Sequence, residues 1–278
     1  MTQPLASRRS PRVAAMRHLR TRAGRREAGA FAVEGPQSVR EAVLDAARIR
    51  TVYATAVALE RFADIIAVAR ANVVEVVPVT DDVIEAMAQT RTPQGIIAMC
   101  DLLGGSLDDV VRSGATMAVV LESAADPGNV GTIIRTADAA GASGVVLTAG
   151  STDPFGGKVV RATAGSIFHL PIAEDVDVRS LLARVSETGM TLAVATGDGE
   201  FDVFEWLERA PTSICWAFGT EAHGVSDELK EAANVRVRIP IAGRAESLNV
   251  GAAVAVCLFA DVARRHERLR SSHEDPNH

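Results

Sequence analysis

The sequence predicts an α/β fold in two domains, and three observations carry that reading. Short β-branched apolar runs alternate with segments whose apolar residues recur at helical spacing, from Phe31 to Ala260. In the second half, three glycine- and polar-rich blocks each follow an apolar run, where an open sheet builds its loops. The alternation pauses once, at Gly104-Gly105-Ser106, which sets a linker around 101–115.

The elements follow in order. An Arg-rich segment, 12–26, reads as helix. Phe31-Ala32-Val33-Glu34-Gly35 is a short strand ending at a glycine. Val39, Ala42, Val43 and Ala46 give 37–48 a helical stripe. Thr51–Ala56 predicts a strand, 57–70 a helix, Val73–Val77 a strand, 80–88 a helix and Gly95–Cys100 a closing strand. A second alternation starts at Met117–Leu121, a continuous apolar run of the kind buried on both faces. A helix over 129–141 ends at Gly141, and a strand follows at Gly144–Leu147. Further strands are expected at 168–172, 190–196, 213–218 and 235–239, with helices at 178–188, 226–233 and 247–265. The last helix is apolar nearly all round from Leu248 to Ala260, so it must be buried on several sides, by deep packing or a dimer interface. The domains are a basic arm or helix (1–26), a first domain (27–110), a second (115–268) and a polar, disordered tail (269–278).

Bulk composition narrows the classes. The chain has 278 residues, of which 47% are apolar, ample for a core. Cys100, Cys215 and Cys257 sit in apolar runs without metal or disulfide spacing, as expected in a reducing cytoplasm. No apolar run reaches the roughly 18 uncharged residues of a membrane span, and no signal peptide is visible. The net charge of −6 hides an asymmetry. Residues 1–26 hold eight arginines and no acid, residues 1–110 sum to +1, and residues 111–278 sum to −7. Such an arm suits phosphate binding, with Arg20, Arg22, Arg25 and Arg26 as the candidate contacts. A solvated tail or an organellar transit peptide has the same composition.

The three blocks carry the chemistry. In Asp126-Pro127-Gly128-Asn129-Val130-Gly131-Thr132-Ile133-Ile134-Arg135-Thr136-Ala137, turn residues open a helix that carries Arg135, whose donor fork suits a phosphate. In Gly219-Thr220-Glu221-Ala222-His223-Gly224, two glycines flank Glu221 at a strand's carboxyl end, where bare N–H groups can hold polar atoms. In Ile239-Pro240-Ile241-Ala242-Gly243-Arg244-Ala245-Glu246-Ser247-Leu248-Asn249-Val250, Ser247 is the expected helix cap, and Asn249 requires a hydrogen-bond partner if buried. Val225-Ser226 stands where a phosphate-gripping P-loop needs Lys and Ser/Thr, and no Gly-x-Gly-x-x-Gly follows a strand. The histidines lack metal-ligand spacing.

In order and spacing, the blocks resemble the three signature motifs of the SpoU/TrmH family of RNA 2′-O-ribose methyltransferases, in the knotted SPOUT superfamily. Phe31–Gly35 with Val39, Glu41 and Ala42 resembles the family's N-terminal substrate-binding domain, itself like a ribosomal-protein RNA-binding fold. Thr92-Pro93-Gln94-Gly95 resembles that domain's closing strand, and Arg161-Ala162-Thr163-Ala164-Gly165-Ser166 resembles a further family segment. The resemblance implies a C-terminal sheet ending in a deep trefoil knot, a homodimer formed through that domain, and S-adenosylmethionine bent in the knot. It places Gly219, Ile239, Leu248 and Thr196 at the cofactor. It places Asn129, Arg135, Glu221, Ser247 and Asn249 at catalytic and substrate positions. The substrate it implies is RNA, of the large ribosomal subunit because the N-terminal domain is present, with no metal, no membrane and a cytoplasmic location. Arg135 would assist loss of the 2′-hydroxyl proton as base or clamp the adjacent phosphate, and both roles stay open. A transfer-RNA methyltransferase, a non-catalytic RNA-binding or ribosome-assembly protein, and a dinucleotide-dependent oxidoreductase are the alternatives. The missing glycine fingerprint disfavours the last.

Overall fold

A computed structural model describes residues 3–45, 48–220 and 224–273. The chain divides into two compact units, one of Met1–Leu103 with Asp153–His169, the other of Gly104–Thr152 with Leu170–His278.

The first unit holds a four-stranded sheet of β1 (Ala30–Glu34), β4 (Ile96–Asp101), β2 (Ile49–Ala54) and β3 (Glu75–Pro78), in that spatial order. The strand β4 runs antiparallel to β1 and β2, whereas β2 and β3 are parallel. Helices α3 (Pro36–Leu44), α4 (Ala56–Arg61), α5 (Ala63–Ala71) and α6 (Asp81–Met87) alternate with the strands. The helix expected over 57–70 is two helices, with Phe62 at the break (φ −115°, ψ 37°).

The arginine-rich start is not a separate arm. It folds into this unit as α1 (Pro11–His18) and α2 (Arg22–Ala28), capped by the Ser10 and Thr21 hydroxyls. Val13, Met16 and Leu19 reach the core of the unit. Much of the positive charge serves this packing. Arg17 and Arg20 donate to carbonyls at the C-terminus of α6, Ala86 and Ala88, where a cation is favoured. Arg12 pairs with Glu75 at 2.7 Å, and the carboxylate raises the guanidinium pKa still further.

Residues 153–169, which fall inside the expected second domain, belong to the first unit. They form α9 (Gly157–Thr163) and a 3-10 turn at Ser166–Phe168. The Phe31 ring packs on Phe155 and Phe168 (centroids 5.3 and 6.0 Å apart). The strand expected at 168–172 therefore starts only at Ile172.

The second unit is a seven-stranded sheet in the order β7-β6-β5-β10-β8-β11-β9. Its strands are β5 (Met117–Leu121), β6 (Val145–Thr148), β7 (Ile172–Val176), β8 (Thr191–Ala195), β9 (Phe201–Asp202), β10 (Ile214–Phe218) and β11 (Val235–Arg238). Every pairing is parallel. The central strands β5 and β10 are buried at every position, which explains their unbroken apolar sequences. From β5 the chain steps outward to β6 and β7, then returns beyond the centre to β8, and β10 inserts between β5 and β8. This reversal puts the carboxyl ends of β5, β10 and β8 side by side, the place where open α/β sheets bind ligands.

Helices α7 (Leu107–Val110), α8 (Pro127–Ala139), α10 (Val178–Thr188), α11 (Val203–Arg209), α12 (Asp227–Ala232) and α13 (Val250–His273) complete the unit. The helix α13 packs on α8 and α11 and is anchored by a buried carboxylate. Asp261, 0% exposed, accepts from Arg264 and Arg265, and the Arg264 Nη1 donates to Ala210 O at 2.6 Å. The helix begins three positions later than expected and continues to His273, so part of the predicted disordered tail (269–278) is helical. Residues 274–278 lie outside the described residues.

Candidate active site

Two adjoining cavities open at the carboxyl ends of the central strands. The first, of about 660 Å³, lies between the loops after β5 and β10, with Asn129 and Ile133 of α8 in its wall. The second, of about 240 Å³, lies among the loops after β8, β10 and β11. They share Phe218, Gly219, Thr220, Gly224 and Val250.

The first block forms its wall by a capped turn. Asp126 accepts from Asn129 N at 2.8 Å, and Pro127 occupies the first helical position, where its missing N–H costs nothing. Asn129 thus sits in the first turn of α8, facing the cavity.

The described ends of the second block close on each other. Gly224 N donates to Thr220 O at 2.8 Å, and Gly224 has φ +63°. A Cβ on Gly219 would stand 1.9 Å from Gly224 O and 2.4 Å from Val225 N, so only glycine fits there. Glu221 lies outside the described residues.

The third block meets the first. Asn249 Nδ2 donates to Asn129 Oδ1 at 3.1 Å, joining residues 120 positions apart. The same Asn249 caps α13, its Oδ1 accepting from Gly251 N at 3.0 Å and Ala252 N at 3.4 Å, and its carbonyl accepting from Ala253 N. The cap is therefore Asn249, not Ser247. Ser247 lines the second cavity instead, two residues before the cap.

Thr196, Gly219, Ile239 and Leu248, the four residues implied to hold a cofactor, all line the second cavity. They come from three separated stretches of chain, the loops after β8, β10 and β11. The Thr196 hydroxyl donates to Asp198 Oδ1 at 2.5 Å, and that bond, with Asp198's own backbone N–H, holds the carboxyl below its ordinary pKa. Leu248 is 37% exposed and Ile241 38%, so apolar surface stands open at the cavity.

Other sequence candidates fall elsewhere. Arg135 lies on the exposed face of α8, outside both cavities, and makes no hydrogen bond or ion pair among the described residues. Arg25, expected at the RNA, is 5% exposed and donates to Leu19 O and to Asp153. It is a structural cation of the first unit. Arg20 is committed to α6 carbonyls, Arg22 is half-buried, and Arg26 is exposed.

Sequence reasoning missed Glu122. This carboxylate directly follows β5, is 8% exposed and lines the first cavity. Its Oε2 accepts from Ser226 N at 2.7 Å, and its N donates to Phe218 O at 2.9 Å. It fastens the second block's loop to β5. The available signal was an acidic residue ending a run otherwise buried on both faces. Among the described residues, no His, Cys, Asp or Glu cluster is arranged to hold a metal.

The SpoU rRNA Methylase family model matches residues 116–259, which spans all three blocks. The chain belongs to the SpoU rRNA methylase family. A second family model, the MRM3-like substrate binding domain, matches residues 10–98 of this SpoU-family chain. The chain is 32% identical to an uncharacterized tRNA/rRNA methyltransferase of Synechocystis, over 96% of each protein. It is 35% identical to the 23S rRNA (guanosine(2553)-2'-O)-methyltransferase of Bacillus subtilis, over 65% of this chain and 69% of that protein. Its fold matches the AdoMet-bound rRNA methyltransferase of Sinorhizobium meliloti with a TM-score of 0.81 at 33% identity, over 95% and 98% of the two chains. The mixed α/β architecture is thus that of solved SpoU methyltransferases.

Proposed function

We propose that this chain is an S-adenosylmethionine-dependent RNA 2′-O-ribose methyltransferase acting on large-subunit ribosomal RNA. The observation that carries the proposal is the convergence of Thr196, Gly219, Ile239 and Leu248 on one cavity, adjoining the Asn129–Asn249 bridge. Those residues suit the cofactor. Ile239, Ile241 and Leu248 offer an apolar face for the adenine, and the Cβ-free backbone at Gly219 lets polar ligand atoms approach main-chain groups. The neighbouring, larger cavity suits the methyl-accepting nucleoside.

Bound S-adenosylmethionine would supply a sulfonium methyl to the ribose 2′-oxygen, the C–S bond breaking as the C–O bond forms and the hydroxyl proton leaving to solvent. The protein's part is chiefly positioning, worth as much as ~7–11 kcal/mol at the well-oriented limit. Asn129 is fixed by Asn249 and by the Asp126 turn, so its amide is pre-set in the wall of the larger cavity. Glu122 holds Ser226, just after the second block, against the end of β5. Arg135 acts as a phosphate clamp, favouring loss of the hydroxyl proton electrostatically, because a guanidinium holds its own proton too tightly to serve as a base. Its exposed place on α8 suits a site completed by a second subunit. The homodimer belongs to the same reading, and the exposed Phe259 (46%) on α13 is apolar surface that a second subunit could cover. The SPOUT trefoil knot belongs to this reading. A cytoplasmic location follows from the ribosomal substrate.

Calorimetric titration with S-adenosylhomocysteine, beside a Leu248→Arg variant, tests the proposal. Micromolar binding that the variant loses supports it. A wild-type protein that binds no S-adenosylhomocysteine refutes it.

A further inference from the structure

The first unit contains a cavity of about 450 Å³ that the methyl-transfer chemistry does not use. It opens where β1 gives way to α3, at Glu34 and Gly35–Ser38, and faces the 90–94 loop. Ile96 and Ile97 form its floor, and Arg161 of α9 closes one side. Arg161 lies within the methylase-family stretch 116–259 of the sequence, whereas the substrate-binding family model ends at residue 98.

Two groups decide its chemistry. Glu34 is 8% exposed and its oxygens are occupied, accepting from Gln89 N (2.7 Å), Thr90 N (3.2 Å) and the Thr90 hydroxyl (3.0 Å). That carboxylate builds the 89–90 bend and leaves the loop's other side to form the cavity. Arg161 differs. Its nearest carboxylate oxygen, on Glu34, is 3.8 Å away, beyond hydrogen-bond reach, and it makes no hydrogen bond among the described residues. Its Nη1 is sealed from water without a partner. The side chain as a whole is 32% exposed, but a sealed donor nitrogen without an acceptor calls for an explanation.

We infer that this cavity takes a single unstacked nucleobase of the substrate RNA, with Arg161 donating to a carbonyl or ring nitrogen of the base. The inference rests on the RNA-methyltransferase reading and adds a recognition site to it. The walls suit a base. Gln37 and Gln94 offer amide donors and acceptors, while Pro36, Pro93 and Ile96 offer flat apolar contact for a ring. A phosphate is disfavoured because Glu34 lies beside Arg161 and cancels its charge. The volume falls in the range of small-ligand pockets, about 300–1,000 Å³. Proteins that read RNA by sequence do so mainly on splayed, single-stranded bases. Arg161 would then be a specificity residue that the methylase stretch of the sequence lends to the substrate-binding unit.

The test uses the full-length protein saturated with S-adenosylhomocysteine, so that adenine-containing ligands cannot report from the cofactor cavity. Saturation-transfer NMR is recorded with each of the four nucleoside 5′-monophosphates at millimolar concentration. The inference expects saturation of the base protons of at least one nucleotide. Arg161→Gln and, separately, Gln94→Ala should each weaken that binding at least fivefold. S-adenosylhomocysteine affinity stays unchanged in both variants, which certifies the fold, and inorganic phosphate does not compete. Absence of base-proton saturation, binding indifferent to both substitutions, or displacement by phosphate overturns it. Failure of the wild type to bind S-adenosylhomocysteine counts instead against the methyltransferase reading on which it rests.

Discussion

Replacing Asn249 separates the two tasks its side chain performs. The Oδ1 caps α13 through Gly251 N and Ala252 N, while Nδ2 donates to Asn129 Oδ1. Asn249→Ala removes both. Loss of an N-cap costs about 1 kcal/mol, and an exposed side-chain hydrogen bond contributes ~0.5 kcal/mol, the low end of the usual range. The sum, ~1.5 kcal/mol, lowers the melting temperature by roughly 3–6 °C at about 2–4 °C per kcal/mol for a chain of this size. Asn249→Asp keeps the acceptor and adds a negative charge at a helix N-terminus, favourable by ~0.3–1 kcal/mol. Its thermal stability should match the wild type to within ~0.5 kcal/mol. Yet Asp has no N–H for Asn129, whose amide must turn over and reverse the polarity it shows the cavity. Methyl transfer should therefore fall at least tenfold in both variants. Thermal denaturation and a methyl-transfer assay on the same samples read the two effects. An Asn249→Asp protein as unstable as Asn249→Ala refutes the cap, and one with full activity refutes the need for the amide bridge.

Three further outcomes follow from named contacts. Gly219→Ala forces a methyl into backbone 1.9 Å away, so S-adenosylhomocysteine affinity should drop at least tenfold by calorimetry, whereas Gly243→Ala, with nothing within 4 Å, should leave it unchanged. Asp153→Ala strands the buried Arg25 guanidinium and should cost about 3–5 kcal/mol in denaturant unfolding, whereas a loss below ~1 kcal/mol would contradict its structural role. Burial pushes the Cys215 and Cys257 thiols up to about 12, and Cys100 is raised as well, so none should react with a disulfide reagent at pH 8 until the protein is unfolded. In the unfolded chain those thiols ionise near ~8.5, so the folded chain binds more protons above that pH. Stability should fall between about pH 9 and 12, by at most ~1.4 kcal/mol per pH unit per thiol. Flat stability across that range would contradict the assignment.

The alternation of apolar runs with helical stripes made most strands legible, because β5 and β10 are buried on both faces and their sequences are correspondingly unbroken. The order of the sheet was not legible. Nothing local in Ile214–Phe218 tells it to insert between β5 and β8 rather than at an edge. That residues 153–169 cluster with the first unit was not legible for a related reason: Phe155 and Phe168 pack on Phe31, a long-range contact that no local pattern encodes. The arginine-rich start looked like a nucleic-acid arm because composition does not distinguish a guanidinium facing solvent from one capping α6 or buried against Asp153. The helix cap moved from Ser247 to Asn249 because both are good capping residues, and only the pairing with Asn129 chooses between them. At the site itself, the blocks were readable because glycines and polar residues directly after buried strands have few other uses. Glu122 was not, since its role depends on a partner, Ser226, that lies 104 residues away.

The proposed reaction transfers a methyl group to a ribose hydroxyl of ribosomal RNA. The most direct test incubates the purified protein with S-adenosylmethionine carrying a labelled methyl and unmodified 23S ribosomal RNA transcript, followed by alkaline hydrolysis. A 2′-O-methyl group blocks cleavage of the adjacent phosphodiester, so label should appear in an alkali-resistant dinucleotide. That label should be absent with the Leu248→Arg protein. Label recovered in ordinary mononucleotides would place the methyl on a base and contradict the account.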